Sequence, residues 1–394
     1  MSALQGVRVL CVGQFYMAPY SSLLLARMGA DVIKIESPKG DPYRHLPTTT
    51  GSGNSVQFDL MNGGKKLMKL DLRAPEGREV FLALVADSDV IVQNLAPGAL
   101  DRMGLGYDVL HGVNPRIILA SGSGFGSTGP YANDTAMDLT IQARAAIMST
   151  TGFMDGEPVR TGPSVVDLMG GTHLAVGILA ALFQREHTGE GQHVEVALQD
   201  AIVPALSSNI AALLSDRGSP ERTGNRHGAL AVAPYNAYEA SNGWVTILCP
   251  SQAHWDSLRE IMADPRAHDP LLHDMSGRAA HIDLVDEIVS DWARGLPKET
   301  IFSLLQAEGI PVAPVITLPE LLEDPHFVHR NMLRTTKTEN GNWHTWASPV
   351  RLSDSPMVEP TRPGALGSDT EAILRDELGY EGERIDALRS AKII

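Results

Sequence analysis

At 394 residues the chain exceeds the usual size of one hydrophobic core, so two domains are expected. Hydrophobic residues make up 43% and charged residues 20%, an ordinary globular balance. The formal charge of −15 argues against generic binding to nucleic acid or to an anionic membrane.

The first 120 residues alternate short β-rich runs with helical patterns. VRVLCVG (7–13) is a buried-strand signal, SSLLLARMG (21–29) has helical spacing, and DVIKIE (31–36) is a second strand. Strand, helix, strand implies a parallel βαβ unit. PEGREVFLALVAD (75–87) is a helix with a Pro start, DVIVQNL (89–95) a strand and PRIILAS (115–121) another. A doubly wound sheet follows, with ligands expected at the carboxyl ends of its strands. The Gly-rich run 121–130 reads as a turn and 137–152 as a helix. Residues 168–186 are apolar nearly all round, the mark of a buried helix, and HVEVAL (193–198) alternates as a strand.

From about residue 215 the character changes. The polar stretch 215–228 suggests a connection, and 235–250 a hairpin turning at Asn242-Gly243. Helical stretches follow at 253–262, 283–294 and 298–308, then at 370–378 and near 385–390.

Asp167 stands first among the candidate functional residues. It precedes the buried helix, where a carboxylate meets free backbone N–H groups and the positive end of the helix dipole. Position alone favours a plainer reading, an N-cap aspartate worth about 1 kcal/mol. The only clustered positive charge near predicted strand ends comes from Arg44, Lys65, Lys66, Arg73 and Arg102. The GSGFG run lacks the GxGxxG spacing of a nicotinamide enzyme. No HExxH, CxxC or GxSxG is present, so metal, nicotinamide and serine chemistry are not expected. Cys11 and Cys249 form no disulfide framework, and no tightly bound cofactor is expected. The strand-like run from Val7 leaves no room for a signal peptide. The apolar stretch 174–183 is about half of a membrane span. A cytoplasmic protein is expected.

Several ordered blocks resemble the class III CoA-transferases. They include LQGVRVLCVGQFYMAPYSSLLLARMGADVIKIESPKGDPYR, KKLMKLDLRAPEGREVF, NLAPGALDRMGLGYDVLHGVNPRIILASGSGFGSTGPY, DLMGGTHLAVGILAALFQREHTGEGQHVEVALQDA and ILRDELGYEGERIDALRSAKII. The resemblance covers essentially the whole chain and extends more distantly to the α-methylacyl-CoA racemases. It implies an α/β fold with a large doubly wound, Rossmann-like, CoA-binding domain (1–205, completed by 330–394). A smaller α+β domain (225–320) is joined by linkers 206–224 and 321–329, in an interlocked homodimer.

By the same resemblance Asp167 is the nucleophile, and Gln14, Tyr16, Ala18, Lys66, Leu72, Asn94, Leu95, Arg102, Asp138 and Leu198 fall at CoA-contact positions. Formyl-CoA transferase has a glutamine at the position of Tyr16. The amides of Met169, Gly170 and Gly171 are oxyanion candidates. The family's GGGG lid is absent, and its nearest counterpart is RTGNRHGALA (222–231), with Gly224, His227 and Gly228. The implied function is transfer of coenzyme A from an acyl-CoA to a carboxylic acid through a covalent aspartyl intermediate, with Asp167 kept ionised by its helix end. The partners are these small molecules and a second copy of the chain. The alternatives are a 2-methylacyl-CoA racemase, which lacks one base because Met137 stands where racemases carry histidine, and a non-catalytic acyl-CoA-binding protein.

Overall fold

A computed structural model describes residues 1–47, 54–215, 221–338 and 341–394. The described chain forms two compact units, one of residues 1–141, 163–202 and 325–394, the other of 142–162 and 203–324.

The first unit is built on six parallel strands: β1 Arg8–Cys11, β2 Asp31–Glu36, β3 Lys66–Lys69, β4 Val90–Gln93, β5 Ile118–Ser123 and β6 His193–Ala197. Their order in the sheet is β3-β2-β1-β4-β5-β6, with β1 paired in parallel to both β2 and β4. Successive side chains of a strand point to opposite faces, and both faces are covered. Leu10, Ile33, Ile91 and Leu119 share one core with Val80, Phe81 and Leu84 of helix Pro75–Ala86 and with Ile373 and Ile385 near the C-terminus. Val9, Cys11, Val32 and Val92 share the other with Ala18 and Leu25 of helix Met17–Arg27 and Leu174 and Ile178 of helix Val165–Thr188. Two-sided burial explains why β1, β2, β4 and β5 read as apolar runs rather than alternating ones.

The strand β3 escapes the sequence pattern because KLMK places lysines at both ends of only two buried residues. The C-terminal tail stitches onto it. Leu67 N–H donates to Asp369 Oδ2 at 2.8 Å, and Asp71 N–H donates to the Ile393 carbonyl at 2.9 Å. The helix expected over 137–152 is two pieces, Asp138–Arg144 and Ile147–Thr150, broken at Ala146, whose φ of 63° lies in the left-handed region.

Helix Val165–Thr188 runs 24 residues and is long and apolar enough by composition to cross a membrane. The sequence estimate of half a span is therefore too short. Its packing against helix Met17–Arg27, β5 and β6 identifies it as a core helix.

The second unit carries the antiparallel strands β7 Tyr235–Ala240, β8 Gly243–Leu248 and β9 Val312–Pro314. The hairpin turns at Ser241-Asn242, one residue before the expected position, because Gly243 already pairs with Ala240. Its core gathers Val245, Ile247, Trp255, Leu258, Ile288 and Ile301. Part of the expected connection 206–224 is helical, Ser207–Leu214, and residues 216–220 lie outside the described residues. The segment 321–329 is also largely helical, within Leu318–Glu323 and Pro325–Arg330. A last hairpin, β10 Leu333–Thr338 and β11 Gly341–Trp346, belongs to the first unit.

Candidate active site

The sheet's strand order reverses direction at β1, with β2 and β3 on one side and β4 to β6 on the other. Such a switch point leaves a crevice at the carboxyl ends of the strands. A cavity of about 600 Å³ opens there, walled by Gln14 after β1, Lys39 after β2, Leu72 and Arg73 after β3, and Leu95 and Arg102 after β4. The Asn94 side chain holds β1 and β4 in register at its floor. Its Oδ1 accepts Gln14 N–H at 2.8 Å and its Nδ2 donates to the Gln14 carbonyl at 2.9 Å. The approach is close. A Cβ on Gly13 would stand 2.2 Å from Ala18 Cβ and 2.8 Å from Asn94 Oδ1, so only glycine fits beside this bridge. Lys39, Arg73 and Arg102 are exposed at the rim, a local positive field on an acidic protein. Apolar walls with cations at the mouth suit a ligand that carries phosphates on an organic body.

Asp167 occupies the first turn of helix Val165–Thr188. Helix starts leave N–H groups without intrahelical partners, and Ser164, the N-cap, makes no side-chain bond to them. Asp138 serves instead: its Oδ2 accepts the N–H of Val166 at 3.0 Å and of Asp167 at 3.1 Å. The favourable end of the dipole is therefore occupied by a second carboxylate. Burial, and then the negative charge of Asp138, push the Asp167 carboxyl up to about 7. This corrects the expectation that the helix end keeps Asp167 fully ionised at neutral pH. The donors that would have done so are spent on Asp138.

The amides of Met169, Gly170 and Gly171 lie beyond the four free positions of the helix start, so they are committed to carbonyls four residues back. The oxyanion role expected of them is corrected on that ground. Gly170 and Gly171 serve packing. A Cβ on Gly170 would meet Leu198 Cδ2 at 2.5 Å, and one on Gly171 the Met17 carbonyl oxygen at 2.7 Å. The start of helix Met17–Arg27 thus lies directly on the Asp167 helix, within a turn of the carboxylate.

Between cavity and carboxylate runs the turn Gln14–Phe15–Tyr16. Phe15 has φ 61°, a left-handed conformation that costs a bulky residue about 1–2 kcal/mol. Tyr16 packs edge-on against Tyr43 with ring centres 4.8 Å apart. Burial, then Tyr16, then the charge of Asp167 raise the Tyr43 phenol far above its ordinary value. Tyr43 therefore stays protonated, within electrostatic reach of Asp167.

Of the residues singled out from sequence, Gln14, Leu72, Leu95 and Arg102 wall the cavity. Asn94 bonds Gln14 beside it, and Ala18 packs in the core on the other face of the sheet. Asp138, Tyr16 and Leu198 stand with the Asp167 helix. Lys66 is elsewhere. It opens β3 at the opposite end of the strand, paired with Asp31 and Glu377, each at 3.0 Å, which corrects its placement as a CoA contact. Arg44 and Lys65 are buried, Arg44 on Glu36 at 2.7 Å and Lys65 on the Pro19 carbonyl at 2.8 Å. Gly224, His227 and Gly228 belong to the second unit. There Gly224 N–H donates to the Gly152 carbonyl at 3.0 Å, and His227 stacks edge-on with Tyr235.

Sequence reasoning missed Lys39 and Tyr43. Lys39 follows a predicted strand, a signal available beforehand. Tyr43 sits in a short 3-10 turn, Pro42–His45, with no pattern of its own.

The family model described as CoA-transferase family III matches residues 4–370. The formyl-CoA:oxalate CoA-transferase of Streptomyces coelicolor is 35% identical over 417 residues, covering 100% of this chain and 99% of that protein. The succinyl-CoA:mesaconate CoA-transferase of Haloarcula hispanica is 36% identical over 393 residues, covering 96% of this chain and 97% of its own length. A solved CAIB/BAIF family protein from Brucella suis has a TM-score of 0.84 at 32% identity, covering 96% of this chain and 99% of that one. Likeness of this extent over the whole chain establishes that it belongs to CoA-transferase family III and is a CoA-transferase.

Proposed function

We propose that the chain transfers coenzyme A from an acyl-CoA to a small carboxylic acid with Asp167 as covalent nucleophile. The reading is supported by a part-buried Asp167 carboxylate in the first turn of helix Val165–Thr188, with Asp138 bonded to the same helix start, in a chain that matches CoA-transferase family III over residues 4–370. In this reading the phosphates of CoA meet Lys39, Arg73 and Arg102, and the thioester reaches past Gln14 to Tyr16. Two residues of chain span at most about 7 Å, so Gln14 at the cavity and Tyr16 near the carboxylate line one continuous path. The strand order supports a Rossmann-like description of the first unit.

The chemistry balances without any other reactant. An Asp167 carboxylate oxygen bonds to the acyl carbon, the C–S bond breaks, and CoA leaves as thiolate, giving an acyl-aspartyl anhydride. The thiolate attacks Asp167 Cγ, releasing the donor acid and leaving an aspartyl-CoA thioester. The acceptor carboxylate then attacks Cγ and expels the thiolate. The thiolate finally attacks the acceptor's carbonyl carbon, freeing Asp167. Each step trades one bond to carbonyl carbon for another, which is why no ATP is required. Water must be kept out, because an anhydride hydrolyses readily.

The relatives named above act on formyl-CoA with oxalate and on succinyl-CoA with mesaconate, and a third, from Acetobacter aceti, on acetyl-CoA with oxalate. An isomerase would need a second base, and Met137 supplies none. We also propose a homodimer. Val176 and Phe183 on the Asp167 helix are 60% and 71% exposed, apolar surface of the sort that partners cover.

Oxygen bookkeeping provides the test. When the acceptor acid carries a heavy-oxygen label, the last step leaves one labelled oxygen on Asp167, detectable in its peptide by mass. Direct attack of the acceptor on acyl-CoA would leave Asp167 unlabelled, and that result would sink the mechanism.

A further inference from the structure

Lys34 and Asp41 form an ion pair at 2.7 Å with side chains 0% and 1% exposed. Desolvation of two charges offsets most of their mutual attraction, so stability is a poor explanation for the pair. The remaining hydrogen bonds of both partners go to the backbone around the reaction site. Lys34 Nζ also donates to the Gly13 carbonyl at 2.9 Å, and Asp41 Oδ1 accepts the Tyr43 N–H at 2.9 Å. Asp41 is itself held from behind, its N–H donating to Glu36 Oε2 at 3.0 Å.

Gly13 precedes the strained turn at Phe15. Strain of that kind persists only where the surroundings over-determine the backbone. Here Lys34 grips the Gly13 carbonyl while Asn94 grips both backbone groups of Gln14. On the other side Tyr43, anchored by Asp41, closes onto Tyr16 through edge-on ring contact. Met17, the next residue, lies against Gly171 of the Asp167 helix.

We propose that the Lys34–Asp41 pair is a positioning device for the reaction: it clamps the Gly13 carbonyl and the Tyr43 amide together, and so sets the Tyr16–Tyr43 phenol pair against the Asp167 carboxylate. This rests on the reading of Asp167 as nucleophile. Neither Lys34 nor Asp41 touches substrate. Burial alone would lower the Lys34 ammonium, but Asp41, with Cys11 and Glu36, more than offsets it, so the clamp remains charged.

The test is a variant that removes the clamp without stranding a charge. In Lys34→Met combined with Asp41→Asn, Met fills the space and Asn still accepts the Tyr43 N–H, but nothing holds the Gly13 carbonyl. Small misplacements at a reaction centre cost up to about 100-fold. We expect kcat to fall by about 10- to 100-fold while KM for acyl-CoA stays within about threefold, because the cavity cations are untouched. A merely structural pair would lower folded yield and leave kcat per folded enzyme unchanged. Tyr43→Phe, which keeps the ring and removes the hydroxyl, should show the same split, and it decides alone where the double variant does not fold. Wild-type kcat in the folded double variant, or in Tyr43→Phe, overturns the proposal. Hydroxylamine trapping on the wild-type enzyme separates the two levels. An Asp167 adduct with unchanged variant rates defeats only the positioning role, whereas absence of the adduct defeats the nucleophile reading and this proposal with it.

Discussion

Replacing Asp167 with alanine is expected to lower kcat by about 10⁴-fold or more, because the route through an anhydride loses its only nucleophile. Acyl-CoA affinity should change little. The cations that rim the cavity, Lys39, Arg73 and Arg102, are set by the ends of β2, β3 and β4, and none depends on the Asp167 side chain. Arg102→Ala should show the converse, a raised KM for acyl-CoA with kcat nearly retained. Stability sharpens the first expectation. A carboxyl held well above its ordinary 3.8 is disfavoured as an anion in the folded state, so removing it should leave Tm at pH 8 equal or higher. Loss of activity with a retained or raised Tm and intact acyl-CoA binding, measured by calorimetry, separates a chemical role from a structural one. Appreciable turnover in the pure variant would contradict it.

The second large effect is on pH. A nucleophile must be ionised, and the Asp167 carboxyl stands at about 7, raised by burial and then by Asp138. The acid limb of kcat/KM, which reports the free enzyme, should therefore fall near pH 7, with about a tenth of the plateau rate at pH 6. The sign of the stability effect is opposite. The folded state holds this proton more tightly than the unfolded chain, so the Asp167 contribution to stability is full below about 4 and lost as pH rises through about 7. The enzyme becomes active over the range in which this residue becomes a burden. Asp138→Asn keeps an oxygen to accept the Val166 and Asp167 amides but removes the neighbouring charge. The acid limb should move to lower pH and remain above the ordinary carboxylate range, since burial persists. An unmoved limb would mean that Asp138 does not act on Asp167 electrostatically.

The strands and the long apolar helix were legible because their physics is local, although Val176 and Phe183 show that helix to be buried on one face only. DVIKIE and the apolar stretch before Glu186 announce themselves through composition, and two-sided burial of a parallel sheet leaves that signature along β1, β2, β4 and β5. The strand β3 did not, since KLMK buries only Leu67 and Met68. Residue 167 could be placed at a helix start by pattern, yet pattern could not separate a cap from a nucleophile. The resemblance to a family made that distinction. Neither source revealed that Asp138, 29 residues earlier, lies at the same helix end. That juxtaposition is tertiary, and it reverses the inference about ionisation. Lys66 was assigned to the CoA site by the resemblance alone, and with β3 unread nothing in the sequence said that Lys66 opens that strand rather than ends it. Tyr43 and the Lys34–Asp41 pair become visible only when the loop after β2 folds back on the loop after β1.

The claim that Asp167 carries the transferred group is tested most directly by trapping. The enzyme is mixed briefly with acyl-CoA, quenched with hydroxylamine, digested and mapped by mass spectrometry. The account predicts a hydroxamate on the peptide that contains Asp167, dependent on acyl-CoA and absent from the Asp167→Ala protein. Normal turnover with an unmodified Asp167 peptide under the same conditions would contradict it.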